Sequence, residues 1–144
     1  MRKISILIII ITLLSCSSDE GGSSSFSLPS FLRGTWRNPG NANPTTYTFF
    51  SNNIVEEGCC IDDLDYRRDY RLEFNESEFE ITEIIEEGYY RVGIKSLNNK
   101  SFSLVNGGKG TETYRAFRKG IVNGKEAILL EYAGTAGGYM YRVD

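Results

Sequence analysis

The chain contains no histidine among its 144 residues, and this absence narrows the chemistry it can perform. Without imidazole there is no Ser-His-Asp or Cys-His nucleophilic site, no zinc site built on histidine, and no histidine general base. Carboxylate pairs, lysine bases and calcium sites remain open, but the sequence holds no recognisable motif for any of them. We therefore expect a protein that is not an enzyme and needs no cofactor.

An excess of basic residues is also lacking. The chain has 16 basic and 19 acidic side chains and no cluster of basic and aromatic residues, so no nucleic-acid partner is expected. Glu56–Glu87 holds 13 acidic and 3 basic residues, whereas Gly88–Asp144 holds 4 acidic and 9 basic residues. The acidic half could form a face for a cation or a basic partner. The interpretation we favour is that acidic and basic side chains pair across neighbouring strands.

The chain has one long apolar run, at its start, and that run is too short to span a membrane. Two positive charges, Arg2 and Lys3, precede the apolar run Ile4–Leu14. A cationic start followed by roughly 7–15 apolar residues is the layout of a secretory signal, whereas a spanning helix needs about 20. Residues 1–15 are therefore predicted to be a signal peptide.

The apolar run ends in Leu13-Leu14-Ser15-Cys16, which resembles the lipobox of bacterial lipoproteins. The resemblance implies that Cys16 becomes the N-terminus of the mature protein. Its thiol would carry a diacylglycerol, and its amine a further acyl chain such as palmitate. One acyl chain binds a membrane marginally, while two or more anchor a protein stably. We therefore expect the protein to bind the membrane through the lipid on Cys16.

Small polar residues follow Cys16, and they predict a flexible tether over residues 16–30 ahead of a single domain at 31–144. The stretch Ser18-Asp19-Glu20 is similar to the acidic export signal of surface lipoproteins in Bacteroidota. The residue directly after Cys16 is serine, which is not a retention signal of the aspartate type. The resemblance implies a lipid-anchored protein of the outer membrane that faces the cell exterior.

The rest of the chain alternates apolar and polar residues, with turn residues between the segments. This pattern is typical of antiparallel sheets. It predicts a strand over 69–75, a long strand over 111–122, a hairpin turn at Asn123-Gly124, and a turn at 134–138. The sequence therefore predicts an all-β fold, an antiparallel up-and-down meander of about eight to ten strands that forms a barrel.

Gly34-Thr35-Trp36 at the first predicted strand, followed by Tyr47-Thr48-Phe49, resembles the lipocalin-like (calycin) families and small Bacteroidota lipoproteins that carry such domains. The resemblance implies a barrel in which Trp36 packs across the closed end. It also implies that an arginine from a late strand lies against the indole ring in a cation–π contact. Arg118 is the arginine we assign to this contact, and Arg115 is the alternative.

Seven aromatic side chains are predicted to face inward and could line a pocket. Barrels of about eight strands either fill with side chains or hold one small ligand. The leading hypothesis is a non-catalytic binding module for a small apolar or amphipathic ligand. The alternative is a structural or protein-interaction lipoprotein with a filled core and an unknown protein partner. The predicted pocket residues are Tyr47, Phe49, Tyr70, Phe74, Phe79, Tyr90 and Phe102.

Cys59 and Cys60 are adjacent, in a compartment expected to be oxidising. They could form a vicinal disulfide or remain unpaired thiols, and the sequence does not favour either. Both could be buried together only in a loop or a bulge. Asp62, Asp63 and Asp65 supply the hard oxygens that calcium takes, but their spacing matches no EF-hand loop. They are weak calcium candidates, and no metal site is predicted.

Overall fold

The structure is a computed structural model that describes residues 25–40, 44–61, 64–104 and 109–143. The predicted signal peptide, Cys16 and most of the predicted tether lie outside these residues, as do Asp62 and Asp63. Within the described ranges, no helix is long and apolar enough to cross a membrane.

The described chain is built almost entirely from strands. The elements are β1 (Gly34–Arg37), β2 (Thr46–Phe49), β3 (Ile54–Ile61), β4 (Leu64–Asp69), α1 (Tyr70–Glu73), β5 (Phe79–Glu86), β6 (Tyr89–Ser96), β7 (Phe102–Ser103), β8 (Lys109–Gly110), β9 (Glu112–Val122), β10 (Lys125–Tyr132) and β11 (Thr135–Val143).

Nine of these strands form one antiparallel sheet that curls into a half-barrel. The strand order is β4-β3-β2-β1-β11-β10-β9-β6-β5, and β7 pairs with β8 in a separate small hairpin. Pairing of β1 with β11 joins the first and last strands. The prediction of an all-β antiparallel meander is confirmed, and the architecture is consistent with a lipocalin-like barrel.

Two tight turns organise the last three strands. Asn123 and Gly124, with φ of 51° and 73°, join β9 to β10, which confirms the predicted hairpin. The turn predicted at 134–138 is wrong, because Ala133 and Gly134 make the turn and β11 begins at Thr135. Gly137 lies inside β11, where a Cβ atom would collide with the ring of Tyr132. This glycine therefore makes room for a ring and does not end the strand.

The strand predicted over 69–75 is also wrong, because the chain there forms the single helical turn α1. The side chain of Asp69 accepts a hydrogen bond from the Leu72 backbone nitrogen at 3.3 Å and caps this turn. Tyr70 and Phe74 are buried, whereas Leu72 is 72% exposed. Residues four apart share a face in a helix as well as in a strand, so alternation alone could not separate the two.

The segment before β1 is part of the domain. Phe26, Leu28 and Leu32 are buried in the core, so ordered packing begins before the predicted domain boundary at residue 31. The backbone nitrogens of Phe26 and Leu28 donate to the carbonyl oxygens of Asn52 and Ser51, at 3.4 and 3.2 Å. Glu83 on β5 also holds the segment, because its carboxylate accepts a hydrogen bond from the Ser27 backbone nitrogen at 2.9 Å.

This segment crosses one end of the half-barrel, which we call the entry end because the chain enters the domain there. The entry end is formed by the turns at 50–53, 87–88 and 123–124, together with the start of β1 and the end of β11. The opposite end, which we call the far end, carries the end of β1, the start of β2, residues 97–101 and the turn at 133–134.

Candidate functional site: a buried charge pair in a filled interior

The aromatic residues predicted to line a pocket pack against one another inside the half-barrel. Five of them are at most 2% exposed, and Phe79 and Phe102 are partly buried against the same core. Ring centroids lie 5.3 Å apart for Phe74 and Phe79, and 5.0 Å apart for Phe49 and Phe117. Three surface clefts of the described chain are lined by other residues. The rings therefore fill the interior, and ring pairs at these distances stabilise it.

A charge pair lies within this apolar interior. Glu56 on β3 and Arg115 on β9 are both fully buried, and Arg115 Nη2 is 3.6 Å from Glu56 Oε2. Tyr70 connects them, because its hydroxyl donates to Glu56 Oε2 at 2.9 Å and accepts from Arg115 Nε at 2.8 Å. Tyr66 donates a further hydrogen bond to Glu56 Oε1 at 3.2 Å. Burial of two charges is tolerated where the pair is close and hydrogen bonds satisfy the remaining groups.

Tyrosine rings surround the pair. The Arg115 guanidinium lies over the Tyr132 ring, 4.3 Å from its centroid. Burial, together with the nearby Glu56 carboxylate, raises the pKa of Tyr66 to about 12 and the pKa of Tyr70 well above its usual value. These hydroxyls therefore stay protonated and can keep donating to Glu56.

Tyr47 is the least satisfied member of the group. Its hydroxyl is buried and has no hydrogen-bond partner among the described residues. Burial raises the pKa of this hydroxyl, and the Glu56 charge raises it further, while the Arg115 charge lowers it. The unpaired hydroxyl therefore lies within the electrostatic field of the pair without joining its hydrogen bonds.

Sequence reasoning missed this cluster. The sequence places Glu56 in the acidic half of the chain and suggests Arg115 only as a partner for Trp36. A signal did exist, because Arg115 is two residues from Phe117 and alternation places both on one face of β9. Glu56 is likewise two residues from Ile54 on β3. Both positions face inward, but only the sheet order brings the two strands together across the interior.

The arginine against Trp36 is Arg142, so the assignment of Arg118 is wrong, as is the alternative Arg115. Trp36 is fully buried, and the Arg142 guanidinium lies 4.5 Å from its ring centroid. Arg118 instead lies over Tyr89, at 4.7 Å. The physical reason is the strand order: β1 pairs with β11, whose register places Arg142 opposite Trp36, whereas β9 is not its neighbour.

Cys59 and Cys60 lie where the β3–β4 ladder is irregular. Gly58 pairs with Tyr66 and Ile61 pairs with Leu64, so two cysteines lie opposite the single residue Asp65. Two residues opposite one define a β-bulge. Asp65 is exposed, and its calcium partners Asp62 and Asp63 lie outside the described residues. The described residues hold no group of three or more potential metal ligands.

The outer face of the sheet carries paired charges and a shallow cleft. Lys95 and Glu80 are register partners 3.6 Å apart, and Arg67 and Glu57 are register partners 3.0 Å apart, as the cross-strand interpretation predicts. A cleft of about 300 Å³ lies over β6, β9, β10 and β11. Alanine and glycine form part of its lining, and its larger lining side chains are Tyr89, Arg118, Leu129, Leu130 and Glu131.

Comparison of the chain with protein-family models, with curated proteins and with solved structures found no match. The fold and the arrangement of side chains define its class: a small antiparallel half-barrel whose interior is filled by aromatic rings around one buried charge pair.

Proposed function

We propose that this chain is a lipid-anchored protein of the outer membrane that faces the cell exterior and is non-catalytic. Its β domain would act as an interaction module through its outer surface. The observation that carries the proposal is the filled interior: the rings predicted to line a ligand pocket contact one another instead. Because the predicted pocket residues pack against one another, the outer surface is the part of the domain that is open to a partner.

The outer cleft is the surface best suited to a protein partner. Arg118 is stacked on Tyr89, and Leu129, the register partner of Arg118 on β10, is 38% exposed. Arg91 lies 3.8 Å from the Tyr114 ring centroid, and Tyr114 donates a 2.6 Å hydrogen bond to Glu131. Tyrosine and arginine are enriched where interfaces gain most of their affinity. These stacked side chains are held in place before binding, which reduces the entropy lost on association.

Site-specific photocrosslinking in living cells tests this surface. A photoreactive amino acid at position 129 should give a crosslinked species that mass spectrometry identifies as a particular protein. The same amino acid at position 97 is the matched control, because Leu97 is 54% exposed but lies at the far end. Equal crosslinking at both positions, or none at position 129, would argue against the outer cleft as the interface.

The anchor needs its own test. Cys16→Ala should abolish incorporation of radiolabelled palmitate and release the domain from washed outer membranes. Persistent label on the variant would disprove acylation at Cys16. Protease added to intact cells should degrade the wild-type domain if it faces the exterior, and protection of the domain would place it on the inner leaflet.

One observation favours a second candidate, a small amphipathic ligand in the interior. The Tyr47 hydroxyl is buried without a partner among the described residues, close to the charges of Glu56 and Arg115. A polar group of a ligand would complete its hydrogen bonding. Native mass spectrometry of protein purified from its own membrane distinguishes the candidates. A bound small molecule would support the ligand, and a clean apo mass after gentle extraction would support the filled interior.

A further inference from the structure

Most of the exposed large apolar side chains in the described ranges cluster at the entry end. Leu72 and Ile121 are the most exposed, at 72% and 71%. Two exposed large apolar side chains lie outside this cluster: Leu97 at the far end and Leu129 on the outer face. The members of the cluster, which we call the entry-end patch, are Phe50, Leu72, Ile84, Ile85, Ile121 and Val143.

Hydrogen bonds hold the elements of the patch against one another. Asp69 accepts from Asn53 Nδ2 at 2.8 Å, which fixes α1, with Leu72, against the turn that contains Phe50. The entry segment bridges that turn to β5, because Phe26 binds Asn52 and Ser27 binds Glu83. These bonds join the Phe50 turn, α1 and β5, while Ile121 and Val143 lie where β9 and β11 end, at the same end of the sheet.

The length of chain ahead of the domain limits where this end can lie. Phe26 is bound at the entry end, and nine residues separate it from Cys16. The ten steps along the chain from Cys16 to Phe26 span at most about 36 Å, even when fully extended. An acyl group on Cys16 therefore keeps the entry end close to the lipid surface, where a short connection maintains a high local concentration.

The charges at this end do not select an anionic surface. Arg33 and Lys125 are exposed there, but so are Glu86 and Glu87. Attraction to anionic headgroups is therefore weak, and burial of apolar side chains would supply most of the binding energy. Phenylalanine, leucine and isoleucine are suited to the boundary between headgroups and acyl chains.

We propose that the entry-end patch rests on the lipid surface that carries the Cys16 anchor, with Leu72 and Ile121 inserted among the lipid headgroups. The proposal depends on the lipid anchor proposed above. Docking would fix the orientation of the domain, so that the far end points away from the membrane and the outer cleft stands perpendicular to it.

Amide hydrogen exchange on the full lipidated chain tests the docking. The chain is reconstituted in vesicles of phosphatidylethanolamine and phosphatidylglycerol, and exchange is compared with the double variant Leu72→Ser/Ile121→Ser. Amides in the 50–53 turn and the 121–125 hairpin should exchange about tenfold faster in the variant, because the lipid no longer covers them. Leu97→Ser is the matched control and should leave exchange at the entry end unchanged. Unchanged exchange in the core of β9 verifies that each variant is folded.

The outcomes separate the docking from the anchor. If the wild-type chain does not float with the vesicles, the proposed lipid anchor is wrong, and the proposed docking is wrong with it. A chain that floats while wild type and double variant exchange alike would overturn the docking and leave the anchor standing. Protection that disappears when the lipid-to-protein ratio is raised would assign the patch to a second copy of the chain and also overturn the docking.

Discussion

At the scale of single residues, Glu56 and Arg115 form a fully buried ion pair in the interior. The carboxylate accepts from Tyr66 and Tyr70 and faces the guanidinium, so each partner balances a charge that water cannot reach. Glu57, the next residue, pairs with Arg67 at the exposed surface. The two neighbours therefore allow a direct comparison of a buried and a surface ion pair.

Glu56→Ala should lower the free energy of unfolding by about 3–5 kcal/mol, because Arg115 would remain buried without its counter-charge. Glu57→Ala, the matched control, should change it by less than about 1 kcal/mol, since solvent screens that pair. Urea denaturation followed by tryptophan fluorescence measures both values. Equal effects of the two variants would contradict the role given to the buried pair.

The unpaired hydroxyl of Tyr47 leads to an opposite expectation. Tyr47→Phe should raise the free energy of unfolding by about 1 kcal/mol, because a buried hydroxyl without a partner is unfavourable. Tyr70→Phe, the control, should lower it by about 1–3 kcal/mol, since it removes hydrogen bonds to two charged groups. Thermal or urea unfolding measures the difference. Destabilisation by Tyr47→Phe would show that the hydroxyl is satisfied, and would favour the interior ligand.

At the scale of elements, glycines within strands make room for the rings around the charge pair. A Cβ atom on Gly58 of β3 would lie 2.5 Å from the Tyr66 ring, and one on Gly137 of β11 would collide with the Tyr132 ring. Both rings fold over the neighbouring strand, where Tyr66 binds Glu56 and Tyr132 stacks on Arg115. Gly58 and Gly137 therefore leave space for tyrosine rings and do not mark turns.

Gly137→Ala should lower the free energy of unfolding by about 1–3 kcal/mol, because the Tyr132 ring would be forced from its place beside Arg115. Gly120→Ala is the matched control. Its Cβ would lie 3.2 Å from the end of the Leu129 side chain, which can rotate away. Denaturation curves measured in parallel test the pair, and a larger loss for Gly120→Ala would argue against this role of Gly137.

At the scale of the whole molecule, the buried tyrosines couple stability to alkaline pH. Burial raises the pKa of Tyr66 to about 12, and the pKa values of Tyr47, Tyr70 and Tyr90 are also raised by burial. The unfolded chain releases these protons near pH 10, whereas the folded chain holds them. Their contribution is therefore complete below about pH 10 and is lost as pH rises toward the folded pKa values.

The free energy of unfolding should fall continuously between about pH 10 and 12, with tyrosinate absorbance appearing in step with the loss of structure. Tyr66→Phe should make this fall less steep, because it removes one of the coupled protons. Circular dichroism and absorbance recorded on the same samples provide the measurement. An equally steep fall in the Tyr66→Phe variant would show that the Tyr66 hydroxyl is not coupled to folding.

The sequence by itself determined the all-β antiparallel class, the Asn123-Gly124 hairpin and the inward face of the aromatic residues. These features depend on neighbouring residues, through alternation and turn chemistry, so a local pattern carries them. Alternation failed at Tyr70, Leu72 and Phe74, where Asp69 caps a helical turn and Leu72 is turned to solvent.

Only the tertiary structure decided which arginine covers Trp36, that Glu56 is buried, and that the aromatic rings fill the interior. Each of these depends on pairs of strands far apart in the chain, such as β1 with β11. The order of the strands follows from which packing of all the faces together buries the most apolar surface and leaves the fewest polar groups unpaired. No window of the sequence contains that comparison, so the strand order is settled only when the whole sheet assembles.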